Sequence, residues 1–196
     1  MLKFCRITSA IIATLLLLTS TALAQLLNSL PAALNTAADS RRSSKTLVVV
    51  DKLGDTVEFF NVANHQKISS VSMKTHPHEI VITPDARTAY VSIYGDGSYG
   101  ENDHPGREIA IINLPTMRHA GDISLGTYRA PHGLALDSAG LLWVTCDKSA
   151  AVIVVNQRER KVVATVFTGT TGTHWLKMLP DGSKAIPRTR TRPTSR

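Results

Sequence analysis

Three histidines, His78, His132 and His174, each stand in front of the same kind of apolar run: "PHEIVITPDA", "PHGLALDSAG" and "THWLKMLPDG". An imidazole offers a nitrogen lone pair to a metal, or a donor and an acceptor to a polar ligand. Imidazoles that converge suit zinc, copper or nickel. Carboxylates lie close in sequence. Glu79 follows His78, His76 precedes it, and the segment "GDGSYGENDHPG" (95–106) brings Asp96, Glu101, Asp103 and His104. The candidate ligands of a divalent metal are therefore His78, His132, His174, His104 and Asp96. Tyr128 and Arg129 precede Pro131-His132, where Arg129 can meet an anionic ligand. The acidic segment does not form an EF-hand, because Gly100 takes its fifth position and no Glu takes its twelfth. A structural reading stands beside the chemical one. A residue repeated in a repeat protein can recur because each unit needs the same hydrogen bond, supplied here by backbone and water.

The elements that carry these residues are strands. From Thr46 onward, short β-branched runs alternate with Gly, Asp, Asn and Pro, and no helical periodicity of useful length appears. Asp85 and Asp181 belong to Pro-Asp turns and serve turn hydrogen bonds. Trp143 and Trp175 read as packing anchors. Cys146, in the alternating run "LLWVTCD", reads as a buried or half-buried strand thiol.

Repetition orders the strands. His132 and His174 are 42 residues apart, and His78 and His132 are 54 apart. The excess of 12 equals the length of segment 95–106. Each unit runs histidine, apolar strand, Asp turn, second strand, then an apolar strand ending in Asn ("EIAIIN", "AVIVVN", with "TVEFFN" in a first partial copy). Four strands at a period near 42 indicate a β-propeller. The fold class is all-β, with four-stranded antiparallel blades of which about three are present. The blades cover about 46–75 (partial), 76–124 and 130–168, and a fourth starts at 174–185. In this architecture the inner strand lines the central channel. Its start and the loop after the second strand share one mouth, so segment 95–106 should gather with the histidines. After Ala185 the chain reads "IPRTRTRPTSR" where another apolar strand is due. Residues 186–196 are read as an aberrant basic tail, from a shifted frame or a truncated gene, leaving blade edges open to self-association.

The units resemble the YVTN-type β-propeller repeat of YncE-like exported proteins. The resemblance rests on "PHEIVITPDA", "AYVS" and "IAIINL", then on "PHGLALDSAG", "LWVT" and "VIVVN", and covers about residues 46–185. It implies the propeller fold and leaves the ligand open, because such repeats serve both binding proteins and enzymes.

The N-terminus specifies export. Lys3 and Arg6 precede the apolar run "IIATLLLL", and Ala22-Leu23-Ala24 forms an A-x-A cleavage site. The reading is a signal peptide at 1–24, a leader at 25–45, and a mature protein in the bacterial periplasm or outside the cell. The apolar run is too short to span a bilayer, which needs about 20 residues. Cys5 leaves with the signal, so Cys146 has no intrachain partner. Two cations go with the signal and four sit in the tail, so the formal charge of +7 falls to +1 for the body. That argues against nucleic acid as a partner, since a nucleic-acid binder needs a basic face. No P-loop, dinucleotide fingerprint, nucleophile elbow or Cys-x-x-Cys is present.

The expected function is an exported binding or scaffold module. A small molecule, peptide or protein would bind at the channel mouth through His78, Glu79, His132, His174 and Arg129. No cofactor is specified beyond a divalent metal. One alternative is a metal-dependent enzyme of the kind found among propeller lactonases and lyases, with Glu79 or Glu101 as base. A second is a truncated chain without activity of its own.

Overall fold

The computed structural model describes residues 45–97 and 102–190. The signal at 1–24, the leader up to residue 44, Glu101 and the tail beyond 190 lie outside the described residues. Lys45 and Val62–Asn64 group with the N-terminal segment, and Val62 N–H donates to Lys45 O at 2.9 Å.

The rest of the described chain is β-structure in chain order. The strands are β1 (Thr46–Asp51), β2 (Thr56–Asn61), β3 (Lys67–Ser72), β4 (Pro77–Ile82), β5 (Thr88–Asp96), β6 (His104–Asn113) and β7 (Arg118–Ser124). They continue as β8 (Pro131–Leu136), β9 (Leu142–Cys146), β10 (Ala151–Asn156), β11 (Lys161–Phe167), β12 (Thr173–Met178) and β13 (Ala185–Thr189). One 3₁₀ turn, Asp147–Ser149, separates β9 from β10. No helix among the described residues is long and apolar enough to cross a membrane.

The strands form four antiparallel meanders: β1-β2-β3, β4-β5-β6-β7, β8-β9-β10-β11 and β12-β13. This is a partial β-propeller with two complete blades. Register identifies the strands of the first blade. Asn61 lies opposite Thr46 as Asn113 lies opposite Thr88, so β1 corresponds to β5, the second strand of a blade. Inner strands β4, β8 and β12 are neighbours in sequence of blades, and each also packs on the second strand of the blade before it.

Alternation within each strand builds the core between blades. On β5, Ala89, Val91 and Ile93 face the first blade, where they join Val57, Phe59 and Val71. Tyr90 faces the other way and joins Ile109, Ile111, Leu142, Val144, Ile153 and Val155. The two-residue period sends successive side chains to opposite faces, so the blade β4–β7 contributes to both cores. Cys146 is fully buried in the second core, and burial pushes its thiol up to about 12.

The turns follow their sequence. Asp85 accepts from Thr83 Oγ1 and Arg87 N–H, and Asp181 accepts from Ser183 N–H and Oγ. Asp137 does the same work in the third blade, accepting from Leu141 N–H and from Trp143 Nε1–H at 2.9 Å. Trp143 is half-buried there, but Trp175 is 46% exposed on β12, with Arg188 over its ring at 5.1 Å. It is therefore no core anchor. Strand β13 runs across the boundary at 185–186 and pairs with β12, so residues 186–189 are strand. Pro187 is tolerated because β13 has a hydrogen-bonded neighbour on one side only among the described strands.

Candidate functional site: an imidazole stack on the inner strands

Each of the three histidines is the second residue of an inner strand, and each sits at a break in register. The irregularities fall between Pro77 and Ile80, between Pro131 and Leu134, and between Thr173 and Trp175. A bulge re-aims the side chain it carries. The residue two positions earlier prepares it. His76, Ala130 and Gly172 all have positive φ, at 54°, 55° and 87°. Their carbonyls accept from the ends of the second strands: from Tyr94 N–H at 3.0 Å, Asp147 N–H at 3.0 Å and Arg190 N–H at 2.8 Å. The same device thus starts each inner strand and turns each histidine inward.

A hydroxyl then locks His132 and His174 each to the blade before it. Ser92 Oγ accepts from Glu79 N–H at 3.0 Å and donates to His132 O at 2.8 Å. Thr145 Oγ1 accepts from Gly133 N–H at 2.7 Å and donates to His174 O at 2.5 Å. Gly133 leaves room for this approach, since a Cβ there would lie 2.8 Å from both His174 O and Leu176 N.

The result is a continuous stack. The rings of His78 and His132 are 4.0 Å apart between centroids, and those of His132 and His174 are 3.5 Å apart. Tyr94 closes the side edge-on, 5.3 Å from His78 and 5.7 Å from His132. Its hydroxyl donates to Asp147 Oδ2 at 2.8 Å, and Lys52 Nζ lies 5.0 Å from its ring centroid. Asn102, also buried, donates from Nδ2 to Tyr94 O at 2.8 Å.

Burial keeps the stack uncharged. His132 is 1% exposed, and desolvation, with the neighbouring imidazoles and Lys52 adding to it, lowers its pKa to about 2. His78 falls to about 4, first through desolvation and then through Lys52. His174 is lowered by desolvation, against the opposing charge of Asp147. Desolvation raises Glu79 and lowers Lys52. Neither ring nitrogen of His132 has a hydrogen-bond partner among the described residues. Glu79 Oε1 is 3.9 Å from its Nδ1, beyond hydrogen-bond reach.

The sequence-derived candidates divide. His78, Glu79 and His132 place one ligand atom each within 4.8 Å of one another, and His174 stacks beside them. Asp96 and His104 instead face each other across the exposed end of the β5–β6 hairpin, outside that group. His76 turns to the Gly95 carbonyl, 3.1 Å from its Nδ1. Tyr128 packs against the core and bonds Thr165 Oγ1 at 2.6 Å, and does not face a mouth. Arg129 is exposed; its backbone N–H donates to Ser149 Oγ. The cations whose charge acts on the stack are Lys52 and, at His174, Arg190. Lys52, Tyr94 and Asp147 escaped sequence reasoning. Their signal was positional, since all three stand at or just beyond the end of a second strand.

Fold and site together define a partial β-propeller with a polar cluster on its inner strands. Two solved propeller proteins are similar to it. Hydrazine synthase from Kuenenia stuttgartiensis is 20% identical, with a TM-score of 0.61 over 72% of this chain and 38% of that one. U3-55K is 18% identical, with a TM-score of 0.53 over 67% of this chain and 38% of that one. The chain thus spans well under half the length of either, and the likeness concerns the fold. No protein-family model and no curated protein matches the chain.

Proposed function

We propose that the chain is an exported, non-catalytic binding module of the YVTN, YncE-like type. Its ligand is a small polar molecule or a peptide end, seated at the imidazole stack. The observation that carries this reading is His132: a buried side chain whose two ring nitrogens find no partner among the described residues. An unmet buried donor or acceptor costs about 1–3 kcal/mol. A ligand that meets it recovers that cost. Lys52 adds a cation beside the stack for a ligand carboxylate, and its lowered pKa reflects the same desolvation.

The test is a thermal-shift panel of amino acids, dipeptides and organic acids on the purified chain, with turnover followed in parallel. The reading expects a stabilising compound that is not consumed, with the effect lost in Lys52→Met and His78→Ala. Consumption of the compound, or stabilisation unchanged in both variants, refutes it.

A second reading is a metal-dependent lactonase- or lyase-like enzyme. It is favoured by Glu79, a carboxyl with raised pKa beside two neutral imidazoles. Lactone or ester turnover lost in Glu79→Gln would establish it. As a protein partner we propose a second copy of this chain. Strand β11 is hydrogen-bonded on one side only and carries exposed Val163, Val166 and Phe167. Sedimentation velocity over a concentration series tests this.

A further inference from the structure

We propose that His78, Glu79 and His132 form a zinc site between the second and third blades, leaving one coordination position open. This rests on the ligand-binding reading of the stack and names one ligand for it.

Three observations carry it. The first is chemistry: two imidazole nitrogens and one carboxylate oxygen come together within 4.8 Å. Two histidines and a glutamate are a zinc ligand set that leaves a fourth position for water or another ligand. The second is geometry. Zinc bonds of about 2.0–2.1 Å place tetrahedral ligand atoms about 3.3 Å apart. His132 Nδ1 and Glu79 Oε1 are already 3.9 Å apart, with nothing between them bonding either nitrogen of His132. The three ligand atoms, within 4.8 Å of one another, must draw in by up to about 1.5 Å; the Glu79 side chain is 38% exposed, so it can swing inward and admit the ion from solvent. The third is preorganisation. Both imidazoles sit on bulges fixed by Ser92, which holds the Glu79 N–H and the His132 carbonyl at once. His174 packs against the His132 ring, centroids 3.5 Å apart, and limits its motion. Ligands held before the ion arrives lose little freedom when it binds. Lys52 opposes a cation here, but it also supplies the contact for an anionic group occupying the open position.

The set differs from the one expected from sequence. It takes Glu79 in place of His174, His104 and Asp96, which are not in the group of ligand atoms within 4.8 Å.

The experiment is zinc titration of the chelator-stripped full chain by calorimetry, with cobalt(II) substitution read in the visible spectrum. The expected result is one equivalent of zinc and the intense d–d bands of tetrahedral cobalt. Glu79→Gln should weaken zinc at least about 10-fold, the cost of a lost ligand contact. His78→Ala should abolish binding, and His104→Ala should leave it unchanged. Glu79→Gln changes a half-exposed side chain, so it reports even if the buried variants misfold. Absence of stoichiometric zinc overturns the proposal. So does binding that survives Glu79→Gln or is lost in His104→Ala. Failure here leaves the organic-ligand panel to judge the binding reading. Zinc binding with ester turnover would keep the metal and overturn the non-catalytic reading.

Discussion

Replacing Thr145 by Val should unlock the third blade from the fourth. The two side chains have nearly the same shape, so the change removes two hydrogen bonds and little else. Thr145 is fully buried. Its hydroxyl accepts from Gly133 N–H at 2.7 Å and donates to His174 O at 2.5 Å. Water cannot replace it at a site where β8 and β12 approach within van der Waals limits, as the 2.8 Å clearance at Gly133 shows. Each buried group deprived of its partner costs about 1–3 kcal/mol. Two such groups cost about 2–6 kcal/mol, a large part of the stability of an ordinary domain. At about 2–4 °C per kcal/mol for a chain of this size, the melting temperature should fall by about 4–24 °C. Urea unfolding followed by tryptophan fluorescence measures the free energy directly. Thr145→Ser keeps the hydroxyl and should recover most of the loss. A Thr145→Val variant within about 0.5 kcal/mol of the parent, the range of an inert surface change, would refute the relay. So would Thr145→Ser unfolding as readily as Thr145→Val.

Gly133→Ala should destabilise by a comparable amount, because its Cβ would meet backbone atoms of β12 at 2.8 Å; the same urea assay checks it. Stability of the metal-free protein should fall as pH drops. His78 and His132 are held neutral with pKa values near 4 and 2, while the unfolded chain takes up protons near 6.5. Their contribution is complete above about pH 6.5 and is lost as pH falls, down to about pH 4 for His78 and about pH 2 for His132, with a slope of up to about 1.4 kcal/mol per pH unit for each ring. A flat urea midpoint between pH 7 and pH 4 would contradict this. Cys146 should resist alkylation in the native protein and react on unfolding, since burial raises its pKa to about 12. Peptide-level mass spectrometry after iodoacetamide labelling reads the site.

The strands and their blade membership were legible because two signals agree along the chain. Alternating β-branched runs mark each strand, and the histidine-to-Asn pattern repeats with them. The placement of His78, His132 and His174 on inner strands followed from that repeat. Their contact did not. It depends on a bulge at each histidine, and a bulge is set by backbone conformation two residues earlier. Gly172 signals a left-handed residue, but His76 and Ala130 adopt the same conformation with no such mark. The second-strand residues Lys52, Tyr94 and Asp147 share a position and no chemistry, so no motif links them. Segment 95–106 misled for a related reason. Its acidic composition suggested a ligand loop. In fact β5 and β6 extend as a hairpin that holds Asp96 and His104 in solvent, while the uncharged Asn102 is the residue that turns inward.

The central claim is that three imidazoles from consecutive blades lie against one another, His132 and His174 buried and His78 half-buried. Nitrogen-15 NMR of the histidine side chains, recorded from pH 7 down to pH 5 on the metal-free protein, tests it most directly. The account predicts that His78 and His132 keep the nitrogen shifts of neutral rings throughout this range. Zinc should then move the resonances of His78 and His132 and leave His104 in place. If the three rings instead titrate together near pH 6.5, as exposed histidines do, they are solvated and separate, and the stack does not exist.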